Sequence, residues 1–210
     1  MIKPRFISFE GGEGSGKSTQ IKLLAKRLAK YGNVITTREP GGTVEAEIIR
    51  NLLVKGEKNK WSGVVETLLL YAARKDHIDK VIVPNLNNNK WVLCDRFKES
   101  TIVYQGYGKN VDIKLIKKLD KLITDNLTPS LTFILDIDPK IGLKRSIRKA
   151  NTETRYEKMS LSFHNKIRKA FKKIASTNKR NFKLINANQD IDLIKDIIWN
   201  EVIKKIDAKK

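Results

Sequence analysis

The sequence predicts an α/β fold, a five-stranded parallel sheet with helices on both faces. Three observations carry that expectation. Five short apolar, partly β-branched runs recur along the chain. Segments with apolar residues at helical spacing separate them. The 210 residues, 40% hydrophobic and 31% charged, suit one domain with a real core and exclude a disordered or fibrous chain.

Taken in order, Arg5-Phe6-Ile7-Ser8-Phe9-Glu10 is an apolar run that ends at glycines and reads as a strand. Ile21, Leu24, Ala25, Leu28 and Ala29 then mark a helix over 17–31, with Gly32 as its stop. Val34-Ile35-Thr36-Thr37 is a second strand, and the turn Pro40-Gly41-Gly42 leads into a helix at 43–55. A long helix is expected from about Val64 to Val83, ended by Pro84. Trp91-Val92-Leu93-Cys94 is a buried-type strand, and 111–126 is helical by pattern. Leu131 to Ile137 is the clearest buried strand, followed by helices at about 139–149 and 160–178. Phe182-Lys183-Leu184-Ile185 closes the sheet, and 190–206 is a last helix. Nothing repeats internally.

Composition narrows the function classes. No apolar run approaches the roughly 20 residues that span a bilayer. The N-terminus lacks the apolar stretch of a secretory signal. A single cysteine, Cys94, excludes an internal disulfide framework and a Cys-rich metal site. The reading is a soluble cytoplasmic protein of one domain over 1–210. The chain carries 43 Lys and Arg against 23 Asp and Glu, a net +20. Residues 140–183 alone hold 15 basic and 2 acidic groups. Such a surplus suits polyanionic partners, phosphorylated substrates among them.

The chemistry starts at Gly11-Gly12-Glu13-Gly14-Ser15-Gly16-Lys17-Ser18, which fits G-x-x-x-x-G-K-[ST] between a strand and an amphipathic helix. Glycines let the backbone curl so that N–H groups point at phosphate oxygens, and the helix N-terminus adds its positive end. Lys17 supplies a mobile charge for the outer phosphates. Ser18 offers a hydroxyl to Mg²⁺, a hard cation that takes oxygen ligands. The expectation is a P-loop that binds a nucleoside triphosphate with Mg²⁺. The N-K-x-D motif of guanine-specific switch proteins is absent. Asp95, directly after the strand Trp91–Cys94, is placed to hold the same Mg²⁺.

Further segments fall in a recognisable order: Phe9-Glu10-Gly11, Thr37-Arg38-Glu39-Pro40-Gly41-Gly42-Thr43, Tyr71-Ala72-Ala73-Arg74 with His77, Asp95-Arg96-Phe97, Ser100-Thr101, Tyr104-Gln105-Gly106, and Leu135-Asp136-Ile137 with Gly142-Leu143. In that order and spacing the chain resembles the bacterial type of thymidylate kinase, from about residue 5 to 190. The resemblance implies transfer of the γ-phosphoryl group of ATP to dTMP, giving dTDP and ADP, on a homodimeric α/β fold. It further implies that Glu39 orients the acceptor site and that Arg50 belongs to that site. Arg74 would donate to the thymine carbonyl, Arg96 would clamp the acceptor phosphate, and Thr101 and Gln105 would hydrogen-bond the base. Glu10 would lie near the sugar and the metal shell. One departure stands out. Leu70 occupies the position, four before Arg74, where the family carries an aromatic residue that stacks on thymine. Leucine gives apolar contact without a π-face, about 1 kcal/mol less.

The reaction explains the residue types. A phosphate monoester has a second pKa near 6 and is mostly dianionic at neutral pH, so it needs no general base. The two histidines, His77 and His164, are accordingly read as structural or solvated. Repulsion between two anions is the obstacle, and Lys17, Arg96 and Mg²⁺ answer it. Arginine suits phosphate because its fork makes two hydrogen bonds. The P-loop holds no arginine, so a mobile lid at about 146–158 is expected to deliver one. Thr154-Arg155-Tyr156-Glu157 resembles the family's R-x-E lid element, which favours Arg155, with Arg148 as its competitor. Rival readings are a nucleic-acid-dependent ATPase, a kinase for another small acceptor, and a non-catalytic binding module. The first lacks a second ATPase motif set, so nucleic acid is not expected as a partner despite the charge. The second would keep the cradle but not the T-R-E-P-G-G-T and Y-Q-G segments. The third is opposed by intact Lys17, Ser18, Asp95 and Arg96.

Overall fold

The computed structural model describes residues 5–147 and 155–207. Five parallel strands run in the order β2-β3-β1-β4-β5, namely β1 (Phe6–Gly11), β2 (Val34–Arg38), β3 (Trp91–Asp95), β4 (Leu131–Asp136) and β5 (Phe182–Asn186). The expected strand count and parallel sense both hold. β1 and β4 are buried on both faces, which is why they read as unbroken apolar runs and not as alternating ones. The register pairs Phe9 with Asp95 on one side and with Phe133 on the other.

After β1 the chain builds β2 and β3 to one side, then crosses to β4 and β5 on the other. The C-terminal end of β1 is therefore the switch point where such sheets open a crevice. Helix α1 (Lys17–Leu28) leaves from there and packs Ile21, Leu24 and Leu28 on the main core with Phe9, Phe133 and α9 (Ile191–Asp207). α8 (Leu161–Thr177) covers β4 from the other face through Phe163, Ile167 and Phe171. α7 (Pro139–Ile147) follows β4, and its Gly142 meets the phosphate loop. A Cβ on Gly14, whose φ is +64°, would lie 1.9 Å from the Gly142 carbonyl oxygen. The loop and α7 can touch only without one.

Two expectations need correction. The long helix does not end at Pro84. α3 (Gly63–His77) passes through a wide π-type segment, Ile78–Ile82, into α4 (Val83–Asn87). Pro84 then sits in the first turn of α4, where its missing N–H is not needed. The second correction concerns 98–108, to which the pattern assigned no element. It is helical: α5 (Lys98–Thr101) runs into a second π-type segment, Ile102–Gly108. α2 (Val44–Val54), capped by the Thr43 hydroxyl, and α6 (Ile113–Thr124) match expectation.

Candidate active site

A cleft of about 310 Å³ opens at the C-terminal edge of the sheet. One wall is the phosphate loop, Glu13 to Ser18. The other is built from the end of β2, α2, α3 and the 97–105 segment and carries Glu39, Arg50, Leu70, Arg74, Thr101 and Gln105, while Arg96 stands on the loop's side. Asp95 lies between them at the tip of β3. Motifs spread over more than ninety positions thus meet in one cavity.

On the phosphate-loop side, Gly16 with φ +91° turns the chain into α1. Lys17 Nζ donates to the carbonyls of Gly11 and Gly12 at 3.3 and 3.1 Å. Burial, and next the Arg96 guanidinium, lower its pKa. Gly11 and Gly12 serve through those carbonyls and do not line the cleft. Ser18 Oγ donates to Asp95 Oδ2 at 2.9 Å, so a hydroxyl and a carboxylate stand together where the sequence placed both.

Arg96 takes an unusual backbone conformation, φ +70°. For a side chain of its size that costs roughly 1–3 kcal/mol, which its surroundings must outweigh. They do so with several contacts. Nη1 donates to Gly11 O at 3.0 Å and Ser100 Oγ at 3.2 Å, and Nη2 donates to Glu13 Oε1 at 2.9 Å. The guanidinium also lies 5.0 Å over the Tyr104 ring. Glu13 has a second partner in the Tyr104 hydroxyl, at 2.9 Å. Burial works to raise the Glu13 carboxyl, but Arg96, Lys17 and that hydroxyl hold it below its usual value. Arg96 is thus pinned beside the phosphate loop with its charge in the cleft.

The opposite wall holds a second pinned cation, Arg74. Arg74 Nε donates to Glu39 Oε2 at 2.7 Å, and Nη2 donates to Thr101 Oγ1 at 3.1 Å. His77 Nδ1 sits 3.1 Å from the other Glu39 oxygen, and its Nε2 is 2.6 Å from Thr37 Oγ1. Burial pushes the Glu39 carboxyl up, yet Arg74 and His77 bring it below its ordinary value. Glu39 thus joins Arg74 and His77, and His77 is buried with both ring nitrogens partnered. Arg50 Nη1 donates to Pro40 O at 2.7 Å, at the mouth of the same wall.

A match over most of the chain joins this geometry. The thymidylate kinase family model matches residues 9–198. The chain belongs to the thymidylate kinase family. It is 45% identical to a thymidylate kinase of Magnetococcus marinus over 202 residues, 96% of either chain. It is equally close to that of Caulobacter vibrioides, at 45% over 207 residues, 98% of this chain and 99% of the relative. A crystal structure of thymidylate kinase from Ehrlichia chaffeensis superposes with a TM-score of 0.76 at 36% identity, covering 94% of this chain and 97% of that one. The reaction of the thymidylate kinase family is the phosphorylation of dTMP to dTDP by ATP, as the motifs implied.

Two nominated residues stand elsewhere than the sequence suggested. Glu10 is fully buried and does not line the cleft. Its carboxyl accepts from the Phe97 and Ser100 amides and from Ser100 Oγ at 2.6 Å, because it ends beneath the start of α5. Arg155 is also buried and does not line the cleft. Its guanidinium donates at 2.8 Å each to the carbonyls of Leu53, Glu57 and Lys58 and pairs with Glu66. Carbonyls in the last turn of α2 and just beyond it, together with a buried carboxylate, offer it better partners than open cleft. The region expected as a lid is described only at its ends. There Ser146 Oγ donates to Glu157, and Ser146, Tyr156 and Glu157 line the cleft. Arg148 lies outside the described residues. Tyr104 and Glu66 were missed as site residues. Tyr104 lay within the quoted Y-Q-G block, whereas Glu66 carries no sequence signal beyond being one acid in an amphipathic helix.

Proposed function

We propose that the cleft carries out the family reaction by charge neutralisation without a general base. The observation that supports it is the pair of preset cations, Arg96 and Lys17, on one rim, facing the buried Glu39–Arg74–Thr101 wall across one cavity. The α-, β- and γ-phosphates of ATP lie on the loop amides from Gly12 to Ser18 and at the α1 N-terminus. Lys17 leaves the Gly11 and Gly12 carbonyls for the outer phosphates. dTMP enters with its base against Leu70, Arg74, Thr101 and Gln105 and its phosphate toward Arg96 and Arg50.

The acceptor phosphate is a dianion at neutral pH and attacks the γ-phosphorus directly. Arg96 lies beside Gly11 O and therefore stands between donor and acceptor. It holds the two groups in line and offsets the charge that builds on the transferred oxygens. The adjacent Ser18 hydroxyl and Asp95 carboxylate suit a hard divalent cation, and Mg²⁺ held there would neutralise charge on the donor phosphates. Residues 146–158 act as a lid that excludes water, and with Arg155 committed to α2, Arg148 is the other arginine of that segment.

The same chain is proposed to work as a homodimer. Val44, Ile48 and Leu52 recur every four residues on α2 and are 76%, 60% and 40% exposed. Val64, Val65 and Leu68 are likewise exposed on α3, which packs against α2. A contiguous apolar face of this kind suits a second copy.

The mechanism is tested by initial rates with ATP, Mg²⁺ and dTMP. Lys17→Ala and Arg96→Ala are each expected to lower kcat by about 10²–10³ or more, with the fold intact by circular dichroism. Near-normal turnover in either folded variant would refute its assigned role.

A further inference from the structure

Glu66 does not line the cleft, yet it controls a residue that does. The carboxylate is fully buried, and its two oxygens serve different partners. Oε1 receives Lys109 Nζ at 2.6 Å and the Arg155 guanidinium. Oε2 receives Gln105 Nε2 at 3.0 Å and the Tyr156 hydroxyl at 3.2 Å. Gln105 Nε2 makes its other bond to that same Tyr156 oxygen, at 3.2 Å. Both hydrogens of the Gln105 amino group are therefore taken up, one by Glu66 behind the wall and one by the Tyr156 hydroxyl.

An amide has two unlike ends, and which end faces a ligand decides what it can read. As the anion of two ion pairs, Glu66 can only accept, so it draws the Gln105 amino group and turns the carbonyl to the cleft. We infer that Glu66 is a positioning residue that sets the Gln105 amide as a hydrogen-bond acceptor, so that the site selects a base with an N3–H donor and rejects cytosine, whose N3 is itself an acceptor. The inference rests on the reading that Gln105 meets the base of the acceptor nucleotide. Two facing acceptors leave a buried oxygen unpaired and repelled, which is how a polar site discriminates strongly.

The same arrangement says what the isosteric variant will do. In Glu66→Gln one oxygen remains, and Lys109 with Arg155 claim it. The new amino group then faces Gln105 and draws its carbonyl backward, leaving the Gln105 amino group toward the cleft. That orientation fits cytosine N3.

The experiment compares kcat/KM for dTMP and dCMP, at one ATP and Mg²⁺ concentration, in the wild-type protein and Glu66→Gln. The dTMP over dCMP ratio is expected to fall by about tenfold to a hundredfold. A folded variant with the ratio unchanged, including one that merely loses activity toward both acceptors alike, overturns the inference. Should Glu66→Gln fail to fold, Tyr156→Phe decides. It removes one of the two acceptors for the Gln105 amino group, and the ratio should fall about two- to fivefold. An unchanged ratio there overturns the inference as well. A wild-type protein that phosphorylates neither pyrimidine would instead overturn the reaction assignment beneath it.

Discussion

Glu10 shows how a buried residue can hold a cleft-lining one, Ser100, without facing the cleft itself. Burial, and next the neighbouring Glu99 carboxyl, raise its pKa from 4.5 to about 8, against the pull of Arg96 and the donors of Ser100 and Phe97. Burial raises Glu99 as well. A carboxyl whose folded pKa exceeds its unfolded value binds more protons when folded. Stability therefore falls as pH rises through the window from about 4.5 to about 8. Glu13 and Glu39 are shifted downward and act oppositely, losing their contribution as pH falls below the usual carboxylate value. Denaturant melts at pH 5.5 and pH 8 should show a loss of stability toward pH 8 that Glu10→Gln reduces. An equal loss in both proteins would show that Glu10 is ionised throughout. Leu70 is the other informative residue. It lines the cleft with Arg74 and offers apolar surface there without a π-face.

At the scale of elements, Arg155 links three parts of the chain that sequence distance separates. It bonds carbonyls in the last turn of α2 and just beyond it, pairs with Glu66 on α3, and itself lies six residues before α8. Removing its charge leaves three carbonyls and one carboxylate short of a partner. Such losses cost about 3–5 kcal/mol. Arg155→Ala should then lower the melting temperature by on the order of 10 °C. Turnover at saturating substrates should change far less than in Arg96→Ala. A large fall in kcat with unchanged melting would restore Arg155 to the phosphoryl group. The 98–108 segment teaches a related lesson. Its side chains, Ser100, Thr101, Tyr104 and Gln105, were visible as motif letters, but their element was not. A short helix that widens into π-type turns has no clean 3.6-residue period to read. Its irregularity is what brings Thr101, Tyr104 and Gln105 to one cleft. The same holds at Pro84, where the preceding wide segment let a helix survive a residue that ordinarily ends one.

For the whole molecule, charge and apolar surface are the quantities left over once the domain has folded. Both substrates are multiply charged anions, and a chain of net +20 attracts them over distances that salt screens. No helix among the described residues is long and apolar enough to cross a membrane, and the exposed apolar residues of α2 and α3 stand on the surface of the fold. A second copy of the chain is the partner proposed for them. Ile48→Asp, which puts a charge at the middle of the α2 stripe, should shift the mass by light scattering from twice the chain mass of 24.0 kDa to that of a monomer. An unchanged dimer, or a wild-type protein that is monomeric at high concentration, would defeat the assignment.

The amino-acid sequence by itself determined the parallel five-stranded sheet, the phosphate loop and the acceptor motifs, because each is written in local pattern: buried runs, glycine spacing, fixed short strings of residues. It determined the reaction as well, since those strings are specific to one family. Only the tertiary structure decided which charges face the cleft. Arg96 faces it, pinned by Glu13 and Tyr104, while Glu10 and Arg155, equally prominent in the sequence, turn inward to backbone partners. Where a long side chain ends depends on which unsatisfied groups lie within its reach, and those belong to segments brought near by folding and not by sequence.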